Sequence, residues 1–405
     1  MRVIILSQWY PPEPALLMQE LAQSLQDLGH EVTVLTGFPN YPSGRVYPGY
    51  RVRPWMKETI EGVSIVRVAL YPEHSRSAIK RILNFLSFAF SSSCLAPFLL
   101  ARPDVLFVYH PPLTVGVPAM WLSWLWRVPF VYQIQDMWPE TLSATGMLRS
   151  PRLLRWVGRF AKLAYARAAA ICVISPGFRA NLLAKGVPGS KVHVVSNWVD
   201  SAVYKPVEPD RMLAERLGLA GRFNVMFAGN MGEAQRLETV VEAAALLGDV
   251  PEIQFVFVGD GTAASSLAEL ARARRLANVR FLASRPVAEM PALYALAAVL
   301  LIHLKDDPLF RITIPHKTFA YMASGRPILA AIAGDAADVI AASGAGLVCQ
   351  PEDPAALADA VRRFFALPTA ERQRMARDGL EAVRTEFSRT HLAGRLESVL
   401  RQAQA

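Results

Sequence analysis

The chain has 405 residues, 52% of them hydrophobic and 19% charged, with a formal net charge of +9. This composition excludes a disordered polypeptide and suffices for two domains, each with its own core. Cys94, Cys172 and Cys349 stand apart in apolar sequence, as buried thiols of a reducing compartment do, and suggest neither a disulfide framework nor a thiolate metal site.

The charge is unevenly placed. Residues 1–200 hold 20 Lys and Arg against 11 Asp and Glu, whereas residues 201–405 hold 23 of each. The excess lies mainly in two blocks: Arg51, Arg53, Lys57, Arg67, Arg76, Lys80 and Arg81, then Arg149, Arg152, Arg155, Arg159, Lys162 and Arg167. A basic half attracts an anionic membrane face, a phosphorylated acceptor or nucleic acid. No helix-turn-helix, zinc-finger or RNP-type pattern accompanies it, so nucleic acid is not an expected partner. The first ten residues run into Pro11 and Pro12 without a long apolar core or a small-residue cleavage site, so no signal peptide is read and a cytoplasmic location is expected.

In chain order, short apolar runs alternate with helical stretches. The first half reads as strands over 3–6, 31–35, 65–68, 105–109, 130–134, 170–174 and 192–195, with a helix over 15–28 stopped at Gly29. Residues 82–101 carry no charge and are long enough for a membrane span. Ser87, Ser91, Ser92, Ser93 and Pro97 interrupt them, and they feed a buried strand, so they read as a sheet-covering helix with one side open to lipid. Trp121, Trp124 and Trp126 follow in a second apolar helix. Each indole alone suggests core; together with the basic charge they suit a membrane interface.

Polar, proline-containing sequence over 197–219 marks a junction. The second half reads as a strand over 224–228, a helix over 237–247, a strand over 254–258, a helix through Leu276 and a strand over 279–281. Elements over 293–298 and 299–303 come next, then a helix from Pro315 to Gly325, a strand over 327–332, Val348, and a helix over 354–366. No internal repeat appears. The expected fold class is α/β, two Rossmann-like domains facing a cleft, with ligands at the carboxyl ends of the strands.

Unusual residues cluster at those strand ends. Tyr10, Pro11, Pro12 and Glu13 follow the first strand; His110, Pro111 and Pro112 follow 105–109; Asp136, Met137, Trp138, Pro139 and Glu140 follow 130–134. In the second half, Gly229, Asn230, Met231 and Gly232, then Gly259, Asp260 and Gly261, end two strands. A dehydrogenase fingerprint is disfavoured: the first turn has no glycine, and Ala264 stands where a third glycine of the later motif would fall. The most informative stretch is 313–329. Pro315 suits a first helical turn and Gly325 a left-handed stop. Arg311, His316 and Lys317 crowd the helix N-terminus, where free N–H groups and the helix dipole also favour a phosphate or diphosphate. An ordinary helix start with solvated cations is the bland alternative. Asp136 reads either as a functional carboxylate or as the cap of a helix from Trp138, and His110 as a site residue or a satisfied core residue. His193 and His303 read as structural. No Asp-x-Asp motif ends a strand, Asp306 and Asp307 read as solvated, and no metal is expected.

In this order, Tyr10-Pro11-Pro12-Glu13, Asp136-Met137-Trp138-Pro139-Glu140, Val195-Ser196-Asn197-Trp198-Val199-Asp200, Phe227-Ala228-Gly229-Asn230-Met231-Gly232, and Pro315-His316-Lys317 with Ala323-Ser324-Gly325-Arg326-Pro327 resemble retaining glycosyltransferases of family 4. The resemblance is strongest to the branch building bacterial exopolysaccharide and O-antigen, including N-acetylfucosaminyl and colanic-acid-type transferases. It implies the GT-B fold: an acceptor-binding domain over 1–198, a nucleotide-sugar-binding domain over 199–387, and a helix over 388–405 returning to the first domain. It also implies donor contacts from Gly229, Asn230, Met231, Gly232, Ser284, Arg285, Arg311, Pro315, His316 and Lys317. Acceptor contacts would come from Tyr10, Pro11, Pro12, Glu13 and Trp138, and catalytic roles would fall to His110, Asp136 and Lys317. The implied activity moves a sugar from a nucleotide diphosphate, UDP ahead of GDP, without cofactor or metal, to a polyprenyl-diphosphate-linked saccharide at the anionic inner membrane face. The sequence departs from many members in having Ile312 and Ala320 where two glutamates stand, and Asn230 and Gln235 where Arg and Lys stand. A catalytically degenerate GT-B subunit and a GT-B nucleotide-sugar epimerase are the alternatives.

Overall fold

The computed structural model describes residues 1–73, 77–144, 148 and 150–404, so Arg76 and Arg149 of the basic blocks lie outside the described residues. The chain forms two compact units, Met1–Asn197 with Arg389–Ala405, and Trp198–Ser388.

The first unit is built on strands β1 (Arg2–Leu6), β2 (Glu31–Gly37), β3 (Trp55–Ile60), β4 (Val63–Val68), β5 (Val105–His110), β6 (Phe130–Ile134), β7 (Ala170–Val173) and β8 (Val192–Val194). They form one sheet in the order β3-β4-β2-β1-β5-β6-β7-β8. Helices α1 (Leu16–Asp27), α2 (Ala78–Leu99), α3 (Gly116–Trp126), α4 (Glu140–Ala144), α5 (Pro151–Arg167) and α6 (Pro176–Ala184) connect them. Burial on both faces explains the unbroken apolar runs of β1, β5 and β6. β3 was not expected from sequence. It is the edge strand, pairs antiparallel with β4, and alternates exposed with half-buried residues, so it lacks an apolar run. The C-terminal helix Arg389–Gln404 belongs to this unit and ties to the α1 region through Arg389 Nε donating to Ser24 (2.7 Å) and His30 beside Glu397 (3.1 Å).

In α2 the usual polarity is inverted. Asn84, Phe88, Ser92 and Ala96 form the buried row, while Ile79, Leu83, Leu86 and Phe90 point outward; Phe90 is 71% and Phe98 87% exposed. Ile79–Leu99 is long and apolar enough to cross a membrane, yet the row of Asn84, Phe88, Ser92 and Ala96 is packed inside the unit. Taken singly, Trp121 and Trp124 on α3 were expected in the core; both are exposed and stack at 5.2 Å, and Trp156 on α5 is exposed as well. Cys94 is also exposed, unlike the buried thiol expected.

The second unit contains β9 (Phe223–Ala228), β10 (Ile253–Val258), β11 (Val279–Leu282), β12 (Val299–His303), β13 (Ile328–Ala331) and β14 (Gly346–Cys349), all parallel, in the order β11-β10-β9-β12-β13-β14. Its helices are α7 (Arg211–Leu217), α8 (Glu238–Ala245), α9 (Ala264–Ala273), α10 (Met290–Tyr294), α11 (Pro308–Arg311), α12 (His316–Ala323), α13 (Asp335–Ala342), α14 (Pro354–Ala366) and α15 (Thr369–Thr385). The segment 293–298 is the end of α10 and a turn. α15, unexpected from sequence, packs against α12, with Gly379 allowing close approach to Ala345 and Met322. Each sheet has a topological switch point, β1/β5 in one unit and β9/β12 in the other, where a parallel sheet opens a ligand crevice at its carboxyl edge.

Candidate functional sites

At the β9/β12 switch point, the loops after β9 and β10 stack backbone on backbone. Gly229, Gly259 and Gly261 have φ of +131°, +140° and +150°, a region open to glycine. A Cβ at Gly259 would lie 2.1 Å from the Gly229 carbonyl oxygen, and one at Gly261 would lie 2.4 Å from that of Met231. Met231 N–H donates to Asp260 O (2.8 Å) and Met231 O accepts from Ala263 N–H (2.9 Å), which locks the pair of loops.

This packing already engages two of the expected donor residues. The Met231 side chain is buried in the apolar core, and the Gly232 N–H already donates to Gln235 Oε1 at 3.0 Å. Gly229 and Asn230 remain exposed. Over them lies Lys317, whose Nζ is 3.1 Å from the position a Gly229 Cβ would take and 3.8 Å from the centre of the Phe227 ring. No carboxylate pairs with Lys317 among the described residues, and burial pulls its pKa down to about 7. A desolvated cation over a glycine turn is the kind of arrangement that suits an anion.

Tyr321, one turn along the same face of α12, sets that placement. Its hydroxyl donates to Ala228 O (3.0 Å) and accepts from Ala228 N–H (2.9 Å), fastening α12 to the end of β9. Phe227 and Tyr321 were both missed from sequence, although Tyr321 stands at i+4 from Lys317, the spacing of one helix face.

The other expected cations are differently engaged. Arg311 ends α11 and holds Asp306 bidentately, at 2.6 and 2.9 Å, so it is not a free anion ligand and Asp306 is not simply solvated. The guanidinium keeps the Asp306 carboxyl below its ordinary range. Asp307 caps α11 through Leu309 N–H (2.9 Å). His316 is exposed, lies edge-on to Tyr204 at 6.2 Å and hydrogen-bonds the Trp198 backbone. Pro315 is the N-cap residue of α12. Ser284 and Arg285 are exposed beyond β11, Arg285 lying 3.8 Å from Glu289. Ala320 is buried in apolar core beside Phe319 and Tyr321, so a glutamate there would need a polar partner that this packing does not offer.

At the β1/β5 switch point of the first unit, the turn from Tyr10 to Glu13, where acceptor contacts were expected, is folded inward at every position but Pro12. Tyr10 and Glu13 are 0% and 1% exposed. The Glu13 carboxylate accepts from the N–H groups of Tyr10 (3.1 Å), Asn40 (2.8 Å) and Tyr41 (2.8 Å). Burial raises its pKa, and those donors oppose the rise. Pro11 is buried with its carbonyl held by Arg67, and Pro12 is exposed. Arg67, expected in the basic surface block, is wholly buried, bound to Glu58, Pro11 O and Gly37 O (2.9 Å).

His110 ends β5 fully buried, and neither ring nitrogen has a hydrogen-bond partner. Burial lowers its pKa to about 3, so the imidazole is neutral. Its ring lies 5.7 Å from Trp138, edge to face. Asp136 caps no helix, since α4 begins at Glu140; it has no hydrogen bond or ion pair among the described residues, and burial raises its pKa. This edge therefore gathers a neutral imidazole, an unpaired carboxyl and an indole. Among the described residues no group of three His, Cys, Asp or Glu could hold a metal ion.

Comparison with known proteins matches these two units to two families. Residues 15–198 match the glycosyl transferase 4-like domain, and residues 222–366 match the glycosyl transferases group 1. The colanic acid biosynthesis glycosyl transferase WcaI of Escherichia coli (strain K12) is 27% identical over 91% of this chain and 93% of its own. Sucrose-phosphate synthase from Thermosynechococcus elongatus superposes with a TM-score of 0.74 at 17% identity, covering 99% of this chain and 98% of that one. Anabaena HepE in complex with UDP gives 0.73 at 17%, covering 99% and 100%. The chain belongs to the glycosyltransferases of GT-B fold. Within them it is a group 1 glycosyltransferase with homologues in polysaccharide biosynthesis.

Proposed function

We propose that this enzyme transfers a sugar, with retention, from a nucleotide diphosphate to a lipid-diphosphate-linked saccharide of a bacterial surface polysaccharide. The observation that carries the reading is Lys317, a cation without a carboxylate partner among the described residues, seated over the Gly229 turn at the start of α12. Breaking a glycosyl–diphosphate bond leaves negative charge on the departing diphosphate. A fixed cation in a water-poor site stabilises such charge by about 3–4 kcal/mol per well-placed donor. The departing phosphate takes the acceptor proton, so no side-chain nucleophile or metal is needed. Asp136, whose carboxyl is unpaired, and neutral His110 at the same strand-end edge are assigned to the acceptor side of the transfer, on the first unit. UDP is favoured as the nucleotide, supported by its presence in a structural neighbour. The acceptor class is supported by the colanic acid relative and by the apolar outer row of α2 beside exposed Arg152, Arg155, Arg159 and Lys162 on α5. Apolar area beside exposed cations suits the anionic inner membrane face, where a cytoplasmic enzyme would dock peripherally.

The test is nucleotide release from a panel of UDP- and GDP-sugars, with and without a polyprenyl-diphosphate-linked acceptor extract. Release from one donor that requires the acceptor is expected. Acceptor-independent turnover would point to an epimerase or hydrolase, and silence across the panel from folded protein to a degenerate subunit.

A further inference from the structure

The first unit also holds an apolar pocket of about 450 Å³ between α2, the turn Leu113–Val115, α4 and α5. Its walls include Ile82, Phe85, Trp138, Leu142, Trp156 and Phe160. The volume is that of a small-molecule site, and its walls are apolar as such sites are, with a few polar groups to fix orientation. Among the described residues, only Arg81 and Thr114 bring polar side-chain atoms to the lining besides the indole N–H groups. Arg81 Nε and Thr114 Oγ1 are both buried with no hydrogen-bond partner. Ile82 and Trp156 line the pocket and are also exposed, so it opens to the surface on the apolar face of α2 and the basic face of α5. Trp138 forms part of its wall, lies two residues past Asp136 and meets His110 edge-on at 5.7 Å.

We infer that this pocket takes the hydrocarbon chain of the acceptor lipid, the isoprenoid units nearest its diphosphate, with Arg81 turned to that diphosphate. The inference rests on the lipid-linked acceptor proposed above. A half-buried arginine whose Nε is buried without a hydrogen-bond partner suits an anion, and walls of aromatic and branched side chains suit a methyl-branched hydrocarbon. An isoprenyl diphosphate carries both in one molecule. Inorganic phosphate leaves the walls wet, and a neutral chain leaves Arg81 unmatched. Trp138 would place the lipid head beside Asp136 and His110, the groups assigned to the transfer.

Farnesyl diphosphate, farnesol and inorganic diphosphate are the probes, titrated against the full-length protein by calorimetry. Farnesyl diphosphate is expected to bind at least tenfold more tightly than either fragment. Filling the pocket with Val157→Trp, or with Ile82→Trp at an exposed position that spares the core, should weaken it tenfold or more while UDP binding by the other unit is retained. Arg81→Gln should weaken farnesyl diphosphate and leave farnesol unchanged. Wild-type affinity for farnesyl diphosphate in both filling variants, or inorganic diphosphate binding as tightly as the lipid, would overturn the assignment. The two readings separate cleanly. Acceptor-dependent transfer at wild-type rate in both filling variants removes the pocket and keeps the transferase. Pocket-dependent farnesyl diphosphate binding without turnover on any polyprenyl acceptor keeps the pocket and removes the proposed reaction.

Discussion

Two ionisable side chains whose pKa values burial lowers, Lys317 and His110, carry opposite consequences for pH. Lys317 has a pKa of about 7 in the free protein, below its ordinary value, because it is desolvated without an acid partner. A bound diphosphate favours the ammonium, so above pH 7 binding must draw a proton from solution. Affinity for a nucleotide-diphosphate sugar is therefore expected to be full below pH 7 and to fall by up to about tenfold per unit above it. Affinity that is flat from pH 6 to 9 would contradict a diphosphate on Lys317. His110, held to about 3, binds fewer protons folded than unfolded between pH 3 and 6.5. Stability should therefore drop as pH falls through that window, by at most about 1.4 kcal/mol per unit, and His110→Phe should remove this part of the acid sensitivity in urea titrations. Lys317 was legible in sequence because a proline, a cation and a glycine stop define a helix start on their own. Arg67 was not, because its partners Glu58, Gly37 and Pro11 come from other segments, which no local pattern reveals.

Among the elements, α12 and α2 decide most. Tyr321 gives α12 its seat on β9 by two hydrogen bonds with Ala228. Tyr321→Phe leaves buried backbone groups unpaired, a cost of about 1–3 kcal/mol. The thermal midpoint should fall by about 2–4 °C per kcal/mol, and the donor KM should rise as Lys317 loses its support. An unchanged midpoint would show that the two hydrogen bonds contribute little. α2 was legible as a long apolar helix, and its outward row was expected to be open to lipid. The exposure of Phe90 and Phe98 bears out the open side, though not what covers it. Phe90→Ser with Phe98→Ser should change stability by less than about 0.5 kcal/mol, since neither side chain is packed. The same pair should reduce sedimentation with vesicles of anionic phospholipid, and added salt should reduce it further. Equal sedimentation of variant and wild type would argue against docking through this face. β3 and α15 escaped the sequence reading for a common reason: one is a half-exposed edge strand and the other a mainly polar helix, and neither carries an apolar run.

Over the whole molecule, the two α/β sets, the junction near 197–219 and the absence of a dinucleotide fingerprint were readable because parallel strands buried on both faces leave unbroken apolar runs. Side-chain direction at the strand ends was not readable. Tyr10 and Glu13 bear functional-group chemistry yet turn inward to hold backbone N–H groups, whereas Asp136, in a similar position, keeps its carboxyl unpaired. The charge asymmetry has the same two layers. Arg67 is consumed inside the fold, while the cations of α5 stay exposed. The account as a whole turns on Lys317 holding a diphosphate. Its most direct measurement is calorimetric binding of UDP and of uridine to the wild type and to Lys317→Ala. The expected result is a loss of tenfold or more in UDP affinity with uridine binding unchanged. Equal UDP affinity in the two proteins would contradict the claim.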